Sequence, residues 1–326
     1  MRFAVIGTGA MGAVLGGRLA ARGEDVVFLA RGRQLAALRR DGLYLQQGDE
    51  VLHLDRPAVA ADPAEIGPVD AVLLCVKMYD LEAALARLAP LLRADTCLMT
   101  LQNGIEAPAL AAQAAGGAAV LAAVSWFAAR ITAPGRIEVA GGMQGRPWLE
   151  LGAFAGGTSA PAETLARHLA AAGIGTRVVA DTATLLWHKF CLISATSSSA
   201  ALTRLPIGAV RADPDSRWLI EQAVRETAAV ARARGAGLAS DIEQQIIALI
   251  DSMPAAARPS QLTDLEAGKP LELAWLSGAV CRLGAASGVA TPYHRTAYAA
   301  LAPYARGRPE RTWRRGGNRE TDQLSP

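Results

Sequence analysis

The chain opens with a short apolar run, Phe3-Ala-Val-Ile6, that leads directly into Gly7-Thr-Gly-Ala-Met-Gly12 and then into the helix-spaced stretch Ala13-Val-Leu-Gly-Gly-Arg-Leu-Ala20. Strand, G-x-G-x-x-G turn and helix in this order are a strong constraint, because each glycine has its own task. Gly7 permits the tight turn, Gly9 lets a pyrophosphate approach the backbone, and Gly12 lets the helix pack close to the sheet. The helix N-terminus then aims free N–H groups at the phosphates. Gly7, Thr8, Gly9, Ala10, Met11 and Gly12 are therefore expected to hold a dinucleotide. Arg2 before an apolar segment also suits a signal peptide, but Arg18 and Arg22 interrupt it before a cleavage site.

The second strand pattern, Asp25-Val-Val-Phe-Leu-Ala30, ends in Arg31-Gly-Arg33. An NAD site usually carries an acid about 20 residues beyond the glycines, on the ribose 2′-hydroxyl. Here an arginine stands instead, and its guanidinium fork suits a 2′-phosphate. The expected cofactor is NADPH/NADP+, with Arg31 as a contact.

With 326 residues, 51% hydrophobic and 19% charged, the chain can build two globular domains. A formal net charge of +3 is too small to indicate a nucleic-acid or membrane surface. Cys75, Cys97, Cys191 and Cys281 form no C-x-x-C pair, and the four histidines show no ligand spacing, so no metal site is expected. No apolar run reaches the ~18 residues of a membrane span. These features suit a cytoplasmic protein.

Strand and helix patterns alternate to about residue 180, with strands at 71–76, 96–101, 119–126 and 135–139 and a helix at 162–172. This implies an N-terminal doubly wound Rossmann domain, residues 1–180, with ligands at the carboxyl ends of its strands. The remainder, 181–306, has the pattern of an all-helical domain. Asp181 or Thr182 caps its first helix, and further helices are expected at 215–234, 241–252 and 271–288, the last beginning near Glu272. Residues 307–326 lack apolar periodicity and read as a mobile tail.

Of the 33 basic residues, Lys77, Lys189 and Lys269 alone are lysine. Arginine stays protonated at any usable pH, whereas burial can tune a lysine to exchange a proton. Lys189 lies in the apolar stretch Leu185-Leu-Trp-His-Lys-Phe-Cys-Leu192, as a candidate general acid or a lysine whose stem packs while its ammonium reaches water. Lys77 follows a strand at the edge where ligands bind, unless it is a solvated loop residue. Lys269 reads as surface. Taken alone, Glu272 suits a first helical turn, Asn103-Gly104 a loop turn and Ser260 an N-cap.

Taken together, the glycine turn, Val76-Lys77, Leu101-Gln-Asn-Gly104, Trp187-His-Lys189 and the stretch from Ser260 to Glu272 resemble the ketopantoate reductase family, over roughly residues 1–305. The resemblance implies NADPH-dependent reduction of 2-dehydropantoate to (R)-pantoate, on the route to pantothenate and coenzyme A. It implies Lys189 as proton donor and Glu272 as a second catalytic residue placing substrate and nicotinamide. Lys77 and Asn103 are implied to serve the cofactor near the reacting centre, Asn103 also the substrate. Ala129 is implied as a backbone contact to NADP, and Ser260 as a contact to the substrate carboxylate. A homodimer is left open.

The chain departs from the family pattern where asparagines usually follow the lysine. Ile193, Ser197 and Ile207 stand there, with Ser197, as a substrate contact, and Ser194, Ser198 and Ser199 as hydroxyls that could compensate with water. Since unpaired polar groups in a pocket decide substrate choice, a reductase of a different 2-oxo acid is an alternative. A related β-hydroxyacid or opine-type dehydrogenase and a non-catalytic NADP(H) sensor are others.

Overall fold

The computed structural model describes residues 1–142 and 147–309. The first part of the chain supplies β1 (Arg2–Ile6), α1 (Ala10–Ala21), β2 (Asp25–Leu29), α2 (Gly32–Asp41), β3 (Leu43–Gln47), β4 (Glu50–Leu54), β5 (Ala58–Ala60), β6 (Ala71–Leu74) and α3 (Met78–Leu85). There follow β7 (Cys97–Thr100), α4 (Ala107–Ala114), β8 (Ala119–Ser125), β9 (Ala128–Ala133), β10 (Arg136–Ala140), β11 (Trp148–Ala153), α5 (Ala160–Ala171) and β12 (Gly175–Val178).

Eight strands form one sheet in the order β12-β11-β8-β7-β6-β1-β2-β5, parallel except where β11 meets β8. Its central strands are largely apolar, β6 at every position, because both faces are covered. Phe3, Val5, Leu73 and Met99 face one core with α1 and α5; Ala4, Ile6, Val72, Leu74 and Leu98 face the other with α3 and α4. The order reverses around β1, so the crevice at that reversal opens beside the glycine turn.

A second sheet, β4-β3-β10-β9, was not expected. The strand near 135–139 belongs to it as β10, not to the parallel sheet. It packs on the far side of α1, and that helix is thin enough to lie between two sheets. A Cβ on Gly16 would come within 2.4 Å of Phe28 in the main sheet, and one on Gly17 within 2.8 Å of Leu45 in the small one. The β3–β4 hairpin turns on Gly48-Asp49, with Gly48 at φ +57°.

After β12 the chain is helical: α6 (Thr182–Thr203), α7 (Ile207–Ala212), α8 (Pro214–Ala233), α9 (Ile242–Ser252), α10 (Ser260–Glu266), α11 (Ser277–Ala286) and α12 (Pro292–Leu301). Asp181 caps α6, accepting from Thr184 N at 2.9 Å. This helix is buried on almost every side and packs against α8, α10 and α12. Its Thr-Ser-Ser-Ser run stays helical because the hydroxyls turn back on the helix. Thr196 donates to Leu192 O at 2.9 Å, Ser198 to Ser194 O at 2.6 Å and Ser199 to Ala195 O at 2.7 Å.

A further expectation needs correction. Glu272 does not begin an α-helix: a 3₁₀ turn, Leu273–Trp275, follows it, and Leu276 (φ −105°, ψ −102°) breaks the path before α11. The expected mobile tail falls, from residue 310, outside the described residues. Its start is tied down, Gly307 N donating to Tyr304 O at 2.9 Å and Arg308 N to Gly268 O at 3.2 Å.

Candidate active site

The glycine turn is built as the spacing requires. Gly7 has φ +97°, and a Cβ there would lie 2.7 Å from Val76 N; one on Gly12 would lie 2.2 Å from Gly7 O. Gly9 differs, because a Cβ there would meet nothing within 4 Å. Gly9 is the N-cap of α1, with no side-chain cap and no acid in the first turn. Open space over an uncapped helix N-terminus fits a pyrophosphate. Ala10 and Met11 are partly exposed in that first turn. Thr8 points away: its hydroxyl donates to Leu29 O at 2.9 Å, so it braces the turn against β2.

Arg31 stands just past β2 as N-cap of α2, its side chain 84% exposed and paired with Asp80 of α3 at 2.8 Å. Ala129 lies in β9, paired with Val139 in the small sheet that α1 packs against.

Lys77 follows β6 and meets the helical region across the cleft. Its Nζ donates to Glu272 Oε2 at 2.9 Å and to Asp264 Oδ2 at 3.0 Å. Glu272 is buried, and its other oxygen accepts from Met78 N at 3.0 Å, at the start of α3. Burial pushes the Lys77 pKa down, but the carboxylates of Glu272 and Asp264 together outweigh it and raise it above the usual lysine value.

Lys189, on α6, reaches the end of β8. Its Nζ donates to Ser125 O at 3.0 Å and lies 4.4 Å from the centroid of the Trp126 ring. Burial lowers its pKa to about 8, against the upward pull of Glu150. Lys189 shares a narrow cleft with Gln102, Asn103, Gly104, Ser125 and Leu186. Gln102 shapes one wall, its amide donating to Leu74 O at 2.9 Å and Val76 O at 3.1 Å, across the ends of neighbouring strands. A Cβ on Gly104 would lie 3.1 Å from Trp275 O, so the turn after Glu272 seats directly on it.

The structure thus brings Lys189 together with Asn103, and Lys77 with Glu272. Ser260 is exposed at the start of α10, whose N-cap is Pro259. Ile207 is fully buried in the helical core with Cys191, Ile220 and Val224, so it lines no cleft. Ser194, Ser198 and Ser199 are fully buried as well, Ser194 meeting Thr227 at 2.9 Å and Ser198 accepting from Tyr293 OH at 2.9 Å. Ser197 is buried too, its carbonyl accepting from Gln261 Nε2 at 3.4 Å, and Ile193, one turn earlier, packs with Trp187, Leu276 and Val280. Sequence reasoning missed Asp264, Trp126 and Glu150. Glu150 gave one signal, a lone acid in the apolar strand Trp148-Leu-Glu-Leu151. Among the described residues no group of three or more His, Cys, Asp or Glu side chains could hold a metal ion.

A doubly wound sheet with a phosphate-ready glycine turn, closed by a helical region that brings a lysine to its edge, defines a nicotinamide-dependent oxidoreductase. Models described as "Ketopantoate reductase PanE/ApbA" and its C-terminal counterpart match residues 3–155 and 181–305. The chain belongs to the ketopantoate reductase family, oxidoreductases acting on CH–OH groups. It is similar to 2-dehydropantoate 2-reductase of Halobacterium salinarum, 30% identical with 91% of this chain and 96% of that one covered. A Caulobacter vibrioides protein of the same name is 31% identical, with 91% and 97% covered. Among solved structures, a PanE/ApbA family ketopantoate reductase from Ralstonia eutropha superposes with TM-score 0.85 at 29% identity, covering 94% of this chain and 98% of that one. A D-mandelate dehydrogenase solved with NADH and anilino(oxo)acetate has TM-score 0.86 at 21% identity, with 94% and 98% covered, a likeness of fold. No described helix is long and apolar enough to cross a membrane.

Proposed function

We propose that this protein reduces a 2-oxo acid to the 2-hydroxy acid with NADPH, and that 2-dehydropantoate, giving (R)-pantoate, is its substrate. The observation that carries the reading is the Lys189 ammonium, partly buried and held at 3.0 Å from Ser125 O in a cleft that Asn103 also lines. With a pKa lowered to about 8, Lys189 is mostly charged at neutral pH and still gives up its proton readily.

Bound NADPH supplies the hydride that reaches the carbonyl carbon. Lys189 stabilises the negative charge growing on the carbonyl oxygen and then protonates it, leaving a neutral amine that water recharges. Asn103 orients the substrate, and Ser197 and Ser260 serve its polar groups. Lys77, clamped between Glu272 and Asp264, fixes the distance between sheet and helical region beside the reacting centre. Gly7 to Gly12 hold the pyrophosphate, Ala129 adds a backbone contact, and Arg31 exchanges Asp80 for the 2′-phosphate. A cytoplasmic setting goes with this reading, supported by four free cysteines.

A second reading, reduction of a less polar 2-oxo acid, is favoured by Ile193, which stands in an apolar cluster where the family resemblance leads one to expect an amide. Initial rates of NADPH oxidation with 2-dehydropantoate and a panel of 2-oxo acids separate the two. Turnover far higher on 2-dehydropantoate supports the first, preference for an apolar oxo acid the second, and no turnover on any acid rejects both.

A further inference from the structure

The surroundings of Lys189 continue away from the cleft in a direct line of contacts. β8 ends at Ser125, and the next residue, Trp126, turns its ring face toward the ammonium, 4.4 Å from centroid to Nζ. Its backbone N donates to Trp148 O at 2.8 Å, which anchors it on β11. Its indole Nε1 donates to Glu150 Oε2 at 3.0 Å. Glu150 is 7% exposed, and its other oxygen pairs with Arg177, its register partner on β12. Arg177, Glu150, Trp126 and Lys189 thus connect the edge of the sheet to α6.

A cross-strand ion pair alone would need one carboxylate oxygen. Here the second oxygen is spent on the indole, which fixes the plane of the ring and so the place where its negative face meets a cation. We infer that Trp126, oriented by Glu150 and through it by Arg177, is the positioning residue that holds the Lys189 ammonium in its reactive place and keeps it charged. The inference rests on the reading of Lys189 as proton donor.

The electrostatics agree with the geometry. Burial alone penalises the ammonium, and the Glu150 charge and the ring face both oppose that penalty. His188, beside Lys189 on α6 and edge-on to Trp126 at 6.0 Å, has its pKa lowered chiefly by burial, so it adds little positive charge near neutral pH. Two carboxylates on helices packed against α6 are engaged elsewhere. Glu226 of α8 accepts from Tyr293 N and His294 N at 2.7 and 2.9 Å, and Asp264 of α10 binds Lys77.

The chain offers a direct test, since it contains only three lysines. The full-length protein is labelled with 13C at lysine Cε and titrated by NMR, Lys189 being assigned with Lys189→Arg. In Glu150→Gln the Lys189 signal should titrate about one pH unit lower, while those of Lys77 and Lys269 stay in place. Trp126→Leu should lower it as well, and Trp126→Phe, which keeps a ring face but not the indole N–H, by less. The alkaline limb of the kcat/KM profile for NADPH oxidation should move by the same amounts, with the NADPH Kd unchanged. A Lys189 signal that titrates alike in wild type, Glu150→Gln and Trp126→Leu overturns the inference. So does equal behaviour of the Phe and Leu variants. Absence of turnover on every 2-oxo acid would instead reject the proposed function, and the lysine titration would still decide whether Trp126 and Glu150 control the ammonium.

Discussion

Replacing Lys189 by methionine should make the protein more stable while abolishing its chemistry. Methionine matches the stem in length and polarisability but carries no charge. The lysine pKa falls from 10.5 in the unfolded chain to about 8 in the folded protein. That difference amounts to about 3 kcal/mol of folding free energy withheld at neutral pH. Methionine recovers it but loses the hydrogen bond to Ser125 O, worth about 1 kcal/mol net. Urea unfolding at pH 7 should therefore show Lys189→Met more stable by about 2 kcal/mol. The sign with pH follows from linkage. Between the folded and unfolded pKa values the unfolded chain binds more protons, so wild-type stability rises with pH. The penalty is complete below pH 8 and gone above 10.5. Relative to the variant, wild type should gain about 2 kcal/mol from pH 7 to 9.5, which nearly closes the gap. Turnover should fall by at least ~10²-fold at every pH. A variant less stable than wild type at pH 7, by a margin that does not change with pH, would show that the ammonium carries no burial penalty and would refute the reasoning.

Glycine-to-alanine changes in the turn should separate folding from binding. Gly12→Ala forces a Cβ to within 2.2 Å of Gly7 O and should cost several degrees of thermal midpoint, whereas Gly9→Ala meets nothing within 4 Å and should fold normally but weaken NADPH in a fluorescence titration. The reverse pattern would place the pyrophosphate elsewhere. Arg31→Ala should weaken NADPH at least tenfold more than NADH, a difference of about 1.4 kcal/mol that suits loss of a charge-assisted phosphate contact; equal loss for both cofactors would remove Arg31 from the 2′-phosphate. Glu272→Ala leaves the Met78 amide unpaired and Lys77 with one carboxylate, so calorimetry should register a loss of about 2 kcal/mol. Glu272→Gln, which can still accept from Met78 N, should lose less, and an equal loss would mean that this hydrogen bond contributes nothing.

What could be read from the sequence depended on the range of the rule involved. The glycine turn was legible because the steric demands on Gly7, Gly9 and Gly12 arise within a few residues of each. The parallel sheet was legible because strands buried on both faces are continuously apolar, as Ala71-Val-Leu-Leu74 is. The strand β10 was recognised as a strand but placed in the wrong sheet: its hairpin partner β9 went unrecognised, and its other partner β3 lies about ninety residues earlier, a pairing no local pattern records. Glu272 misled for a related reason. Its sequence neighbours have helical spacing, yet a continuous helix gives way to a 3₁₀ turn that buries Leu273 and Leu276 while both Glu272 oxygens reach Lys77 and Met78. The serines after Lys189 suggested a polar pocket, but hydroxyls inside a buried helix are satisfied first by the carbonyls one turn back, which takes Ser198 and Ser199 away from the cleft. The same logic, run forward, could have found Glu150. A single carboxylate in an apolar strand cannot stay charged without partners. The strand register supplies Arg177 on one side, and the second oxygen is left to recruit Trp126 and so govern the lysine 63 residues further along.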